Sequence, residues 1–241
     1  MSKWLSRLWH EWWRLVALVI MTLGFSLRVK GGWRTPRRGP VLIIANHQSF
    51  FDPIVLSLAC PRPLRFLARK TLFQPAWVGW LLRSLGGVPM DQEGVAKEGL
   101  KTVLRHLEAG EVVVVFPEGT RSENGGLSPV KPGVQLLIKR TRAPVVPMGI
   151  AGAFEALPYW RMVPTLAPLL VPAGKSTVAV WVGRPLDARR LADMPREQLV
   201  AELTAVLQEA KERAEQLRRR REGNGATAPP VRGAEKELRH S

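Results

Sequence analysis

Cysteine is nearly absent from this chain: 241 residues contain Cys60 alone, which excludes a disulfide framework and any multi-cysteine metal site. Histidine is scarce, and His10, His47, His106 and His240 leave little room for a His-based metal centre. Acid is short as well, with 20 Asp and Glu against 36 Lys and Arg and a formal net charge of +16. That excess calls for an acidic partner: nucleic acid, an anionic membrane or an acidic protein. Long apolar runs are missing. Only 13 residues separate Arg14 from Arg28, short of the ~20 that a helix needs to cross roughly 30 Å of hydrocarbon. Wholesale disorder is excluded by the 46% of hydrophobic residues. The length fits one sizeable domain with appendages.

What is abundant is tryptophan, nine against a single tyrosine, and Trp prefers the lipid–water interface. The charge is also unevenly placed: residues 1–40 carry +7, residues 211–241 carry +4, and the middle is only mildly basic. At the N-terminus Trp4, Trp9, Trp12 and Trp13 interleave with Lys3, Arg7 and Arg14, ahead of the apolar run Leu15 to Met21. A signal peptide has similar lengths, but Arg-Val-Lys follows Leu27 where a small-residue cleavage site belongs. A buried soluble helix leaves the four Trp and the flanking cations unexplained. An interfacial or re-entrant anchor accounts for all of them. Residues 1–35 are therefore expected to form a membrane-anchoring helical segment.

From Val41 the pattern is α/β. Val41 to Ala45, Leu64 to Ala68, Val112 to Phe116, Ala143 to Ile150 and Thr177 to Val182 read as strands. Between them, helices are expected from Asp52-Pro53 with Asp52 as N-cap, over Thr71 to Leu85, Gly94 to Ala109 and Pro132 to Thr141. Arg196 to Arg221 forms a last amphipathic helix, and Gly223 onward has the composition of a disordered basic tail. Alternation of this kind predicts a mixed, largely parallel sheet flanked by helices. The domain is drawn over residues 36–222 and the tail over 223–241.

Two loops after strands carry the chemistry. Asn46-His47-Gln48-Ser49-Phe50-Phe51-Asp52 follows the first strand, at the carboxyl edge where open α/β sheets bind ligands. A carboxylate at Asp52 can hold one ring nitrogen of His47 and free the other to take a proton from a hydroxyl. The spacing alone also fits a plain helix N-cap beside a loop histidine. Phe116-Pro117-Glu118-Gly119-Thr120-Arg121-Ser122 is the more specific string and enters the same crevice. Gly119 permits a tight turn, Thr120 and backbone N–H groups can donate to an anion, and Arg121 can hold a phosphate bidentately. Glu118 can orient Arg121 or accept from a substrate hydroxyl. No Gly-x-Ser-x-Gly elbow accompanies Ser49 or Ser122, so nothing argues for a serine nucleophile.

Together the His-x4-Asp segment and Phe-Pro-Glu-Gly-Thr-Arg-Ser resemble the PlsC-type lysophospholipid acyltransferases. Leu85-Gly86-Gly87-Val88-Pro89-Met90-Asp91-Gln92 is similar to that family's second motif, and Val145-Val146-Pro147-Met148 to its fourth. Lys70 and Lys131-Pro132-Gly133 sit where the family often has a Lys and a Lys-x-Gly, and the blocks run in the family's order over about residues 36–185. The resemblance implies an enzyme that moves a fatty acyl group from acyl-CoA or acyl-carrier protein to the free hydroxyl of a lysophospholipid. The first acceptor in view is 1-acylglycerol-3-phosphate, which would give phosphatidic acid. It implies His47 as general base and Asp52 as its orienting carboxylate. Arg121 and Lys70 would bind the acceptor phosphate, in a pocket shaped by Glu118, Gly119 and Thr120. No metal, cofactor or acyl-enzyme is implied, and no nucleic-acid partner. Gln92 stands where the family usually has Arg. Gln brings hydrogen bonds but no charge, which opens the acceptor class to other lyso-lipids, unless Arg69, Lys70 or Arg83 compensates.

The lipid substrates in turn imply a peripheral or monotopic enzyme on an inner membrane, with an anionic-lipid partner. The catalytic domain belongs on the cytoplasmic side, where thioester donors are found and where flanking cations tend to lie. Phe73, Trp77, Val78, Trp80, Leu81 and Leu82 are candidates to line an acyl slot, and Trp160 to Pro172 a second interfacial patch. Two other classes remain open on the residues alone. One is a basic module binding membrane or nucleic acid through Arg218 to Arg221, the other a hydrolase using His47 and Asp52 on water.

Overall fold

The computed structural model describes residues 3–90, 95–131, 133–158, 160–161, 163–167 and 176–219, with side chains described from residue 11 and, past the 91–94 break, from residue 98. The chain runs α1 (Lys3–Phe25), β1 (Arg28–Lys30), β2 (Val41–Ala45), α2 (Asp52–Ala59), β3 (Leu64–Arg69), α3 (Ala76–Ser84) and β4 (Gly87–Met90). It continues through α4 (Val95–Glu108), β5 (Val112–Val115), α5 (Gly133–Arg140), β6 (Val145–Ala151), α6 (Ala153–Ala156), β7 (Ala179–Val182), α7 (Ala188–Ala192) and α8 (Arg196–Arg219). Among the described residues the seven strands form one sheet in the order β1-β7-β6-β2-β5-β3-β4. From β6 to β4 all are parallel, whereas β7 runs antiparallel to β6 and β1 follows β7. A mixed, largely parallel sheet between helices is the predicted architecture.

The central strands explain the layering. In β2, Val41, Ile43 and Ala45 pack with α1 and α2 on one side, and Leu42 and Ile44 with α4, α5, α7 and α8 on the other. All five are fully buried, as a strand covered on both faces requires. β5 repeats this with Val112 and Val114 on the first side and Val113 on the second. Over the second side, α8 buries Leu199, Leu203, Leu207, Ala210 and Ala214. It approaches β6 so closely that a Cβ on Gly149 would lie 2.1 Å from the Ala210 backbone. Arg28 donates to the carbonyls of Leu217 and Arg218 at the end of α8, 2.9 and 2.5 Å away. The last helix is thus a wall of the domain rather than a free basic arm.

α1 has two apolar faces. Ala17, Met21 and Phe25 pack into the core, and the Arg14 guanidinium donates to the Cys60 carbonyl at the end of α2, 3.1 Å away. Trp12, Leu15, Val19 and Leu23 point away from the protein and are exposed. Among the described residues, no helix is long and apolar enough to cross a membrane.

Several expected boundaries move. β1, which was not expected, joins the sheet by pairing with β7. The helix expected over Thr71 to Leu85 is a short 3-10 turn, Lys70–Phe73, followed by α3, because Pro75 interrupts the N–H ladder. Trp77 and Trp80 of α3 point outward, 73% and 42% exposed, so they do not line an internal slot. Only Phe73, Leu81 and Leu82 of that set pack inward. The tail from residue 223, and Met162 and residues 168–172 of the expected second patch, lie outside the described residues.

Candidate active site

The two chemical loops leave adjacent central strands. β2 and β5 pair with Ile44 opposite Val115, so the chain past each strand emerges side by side at the carboxyl edge of the sheet. Ser122 N–H donates to the His47 carbonyl at 2.8 Å, joining the loops directly. Asn46 fixes the other side: its amide donates to Ile150 O at 3.0 Å and accepts from Ile150 N–H at 2.7 Å, so a side chain extends the ladder to β6.

Asp52 is the first residue of α2, with Phe51 at the N-cap position, which corrects the expectation that Asp52 caps its own helix. Its carboxylate turns back into the loop instead. Oδ2 lies 2.8 Å from His47 Nδ1 and accepts the N–H groups of Gln48 and Ser49 at 2.5 and 2.8 Å. Asp52 is fully buried, and Oδ1 has no hydrogen-bond partner among the described residues. A carboxylate so placed requires the proton on Nδ1 of a neutral His47, which leaves the Nε2 lone pair as an acceptor. The His47 side chain is 20% exposed, so that nitrogen can be reached from outside. One face of the ring is covered by Phe116, stacked at 4.0 Å between centroids and 15° between planes.

Glu118 is held from both sides by backbone donors. It is 1% exposed, and its two oxygens accept from His47 N–H and Ser128 N–H, each at 2.7 Å. Burial pushes its carboxyl above the usual range, against the pull of those hydrogen bonds. It ties the backbone of His47 to the far end of the second loop. Gly119 takes φ +72°, and a Cβ there would strike the Lys131 side chain, Nζ included, at 2.9 Å. Lys131 therefore lies over the turn, held by its own N–H to Pro117 O at 2.8 Å. Thr120 beside it is exposed.

Arg121 rests on the Phe50 ring, 3.8 Å from its centroid. Burial, and after it the positive charge of Arg69, bring the Arg121 guanidinium below its ordinary proton affinity, while the Asp52 carboxylate acts the other way. Arg69 ends β3 and Lys70 opens the turn after it, both exposed at the same edge of the sheet. Asp91 and Gln92 lie outside the described residues. Anion-binding capacity thus gathers beside an oriented imidazole.

Sequence reasoning missed Asn46, Ser49 and Phe116 as supports. Ser49 Oγ donates to Leu157 O at 2.6 Å, and Gln48 Nε2 to Gly125 O at 2.7 Å. Only the position of Phe116 directly after a buried strand beside β2 could have flagged its stack. A second histidine–carboxylate pair among the described residues, His106 Nδ1 with Glu111 Oε2 at 2.5 Å, sits at the opposite end of the sheet. Arg65 takes the remaining oxygen of Glu111 at 2.9 and 3.2 Å, so that pair serves as an ion-paired clasp.

The chain is similar in sequence and fold to proteins with named activities. A family model described as Acyltransferase matches residues 26–151. A 1-acyl-sn-glycerol-3-phosphate acyltransferase of Bacillus subtilis is 28% identical over 190 residues, 78% of this chain and 88% of the relative. A lyso-ornithine lipid O-acyltransferase of Rhizobium meliloti is 34% identical over 131 residues, 54% of this chain and 41% of the relative. The fold matches the crystal structure of the 1-acyl-sn-glycerophosphate acyltransferase PlsC from Thermotoga maritima, with TM-score 0.66, 23% identity, and coverage of 88% of this chain and 80% of that one. The family match takes in the His-x4-Asp and Phe-Pro-Glu-Gly-Thr-Arg loops whole, and on it the chain belongs to the acyltransferase family, of the PlsC type, and is an O-acyltransferase.

Proposed function

We propose that this enzyme transfers a fatty acyl group from acyl-CoA or acyl-carrier protein to the free hydroxyl of a lysophospholipid at a membrane surface, with 1-acylglycerol-3-phosphate as first acceptor and phosphatidic acid as product. The observation that carries this reading is the His47–Asp52 pair at 2.8 Å, with Nε2 of a partly exposed ring left as acceptor. Nε2 takes the proton of the acceptor hydroxyl as its oxygen attacks the thioester carbonyl. The tetrahedral intermediate collapses to the ester and expels thiolate, which takes the proton back from the imidazolium. Asp52 holds Nδ1–H throughout.

Arg121 receives the acceptor phosphate, assisted by Thr120 and Lys70, on a turn made by Gly119. The mutual repulsion of Arg69 and Arg121 supports an anion between them, because a phosphate relieves it. With no cation at Gln92, acceptor choice is the open property of this site, and a relative named for lyso-ornithine lipid widens it. The test is a panel of lysophosphatidic acid, lysophosphatidylglycerol and lyso-ornithine lipid offered with one labelled acyl thioester. Lysophosphatidic acid is expected to give the highest kcat/KM. Preference for a phosphate-free acceptor would reassign the substrate.

Membrane association is part of the same reading. The outward face of α1 and the exposed Trp77 and Trp80 of α3 are bridged by an edge-to-face contact of Trp13 and Trp80 at 5.1 Å. Beyond them, Leu166 meets α1 at Gly24, and Ala167 N–H donates to Gly24 O at 2.8 Å. Trp160, Val163 and Leu166 there are exposed as well. Lying in one leaflet, this surface would hold the site where lyso-lipid diffuses, with the catalytic domain cytoplasmic as the thioester donors require. Replacing Leu15, Val19 and Leu23 together by Gln removes apolar burial of about 3 kcal/mol, roughly a hundredfold in partitioning. Cosedimentation with phosphatidylglycerol-containing vesicles should fall accordingly, while activity on detergent-dispersed acceptor persists. Unchanged vesicle binding would remove α1 from the membrane contact.

A further inference from the structure

We infer that Phe116 is a positioning residue for the acyl-transfer step, acting through the face of the His47 imidazole; the inference rests on the reading of His47 as base. The base has two contacts of different kinds. Asp52 Oδ2 fixes the ring edge at Nδ1, 2.8 Å away, which leaves rotation about that hydrogen bond unconstrained. Phe116 supplies the missing constraint, since its ring lies 4.0 Å from the imidazole centroid and 15° from parallel. The contact is built into the fold. Phe116 directly follows β5, next to β2 in the sheet, and the register of Ile44 with Val115 brings the two loops out side by side. Phe116 also packs against the core beneath α1 and α2, so its own ring is held.

The stack does more than aim Nε2. As the imidazole takes the acceptor proton it becomes a cation, and a phenyl face attracts a cation through its quadrupole. That attraction grows along the reaction coordinate and is small in the ground state, so its loss belongs to kcat and not to substrate binding. Other charged groups bear on the ring. Asp52 pairs with it, and buried Glu118 accepts from its backbone N–H. Among the described residues Phe116 is the aromatic ring in stacking contact with it.

The test compares Phe116→Leu, which keeps apolar bulk, with Phe116→Tyr, which keeps the aromatic face. In Phe116→Leu, kcat for acyl transfer is expected to fall about fivefold to tenfold, the effect of a cation–π contact of this class. Acceptor and donor KM should stay within about twofold, as expected of a contact made mainly in the transition state. Phe116→Tyr should retain at least about half of wild-type kcat, because its ring keeps the same face. In a His47→Ala background, Phe116→Leu should cost nothing further. A second reading needs no turnover: the His47 Hε1 resonance of the detergent-solubilised protein should be shifted upfield by the phenyl ring current, in wild type and Phe116→Tyr but not in Phe116→Leu. Equal kcat in wild type and Phe116→Leu, equal loss in Leu and Tyr, or a KM effect without a kcat effect would overturn the inference while leaving His47 as base. Full activity in His47→Ala would overturn both.

Discussion

Replacing His47 by alanine is expected to lower acyl transfer by about a thousandfold or more, the upper part of the range for loss of a positioned general base. No other group among the described residues stands ready to take its place. His106, the other histidine with a described side chain, is bound to Glu111 at the far end of the sheet. The fold should survive, because His47 is held through its backbone: its N–H donates to Glu118 Oε1 and its carbonyl accepts from Ser122. Vesicle binding should survive too, since the apolar face of α1 does not involve this loop. The measurement is the initial rate of diacyl lipid formation beside a thermal melt of the same preparation. A residual rate within tenfold of wild type, in a folded protein, would remove His47 from the chemistry.

Exchanging Asp52 for asparagine is expected to have nearly as large an effect for a subtler reason. The three donors on Oδ2 are His47 Nδ1–H and the N–H groups of Gln48 and Ser49. Asn can still accept from the two backbone groups through its carbonyl oxygen. That same oxygen would also keep Nδ1–H, since all three donors converge on one position, but it carries no negative charge to stabilise the imidazolium formed when Nε2 takes the proton. Loss of kcat by about 10²- to 10⁴-fold follows, in line with the effect of the equivalent exchange in hydrolytic triads. Acceptor KM should change little if, as proposed, the phosphate is received by Arg121. Steady-state kinetics with varied acceptor separates the two parameters. An Asn variant with unchanged kcat would mean that the carboxylate serves the loop and not the imidazolium.

The part of this architecture visible in the sequence is the part set by local pattern. Val41-Leu-Ile-Ile-Ala45 could only be a strand buried on both faces, and it is. β1 escaped detection because Arg-Val-Lys carries no apolar pattern and pairs at the sheet edge, where little burial is required. β4 contains Pro89, which an edge strand tolerates because one side of its ladder is unpaired. Asp52 looked like a cap because Asp-Pro commonly opens helices; which way its carboxylate turns depends on three donors in the preceding loop. Glu118 offered the largest surprise. A charged residue in a motif reads as facing substrate, and only the fold reveals two buried backbone N–H groups for it to satisfy. The partnership of Asn46 with Ile150 spans 104 positions and has no local signature.

The most direct measurement follows a labelled acyl chain. Wild-type protein is mixed with a radiolabelled acyl thioester and lysophosphatidic acid in phosphatidylglycerol vesicles, and the label is partitioned among diacyl lipid, free fatty acid and protein. Direct attack by the acceptor hydroxyl predicts label in diacyl lipid, one thiol released per ester formed, and none bound to denatured protein. Label in free fatty acid with acceptor present would show that the His47–Asp52 pair activates water, and label on the protein would show an acyl-enzyme; either would contradict direct transfer.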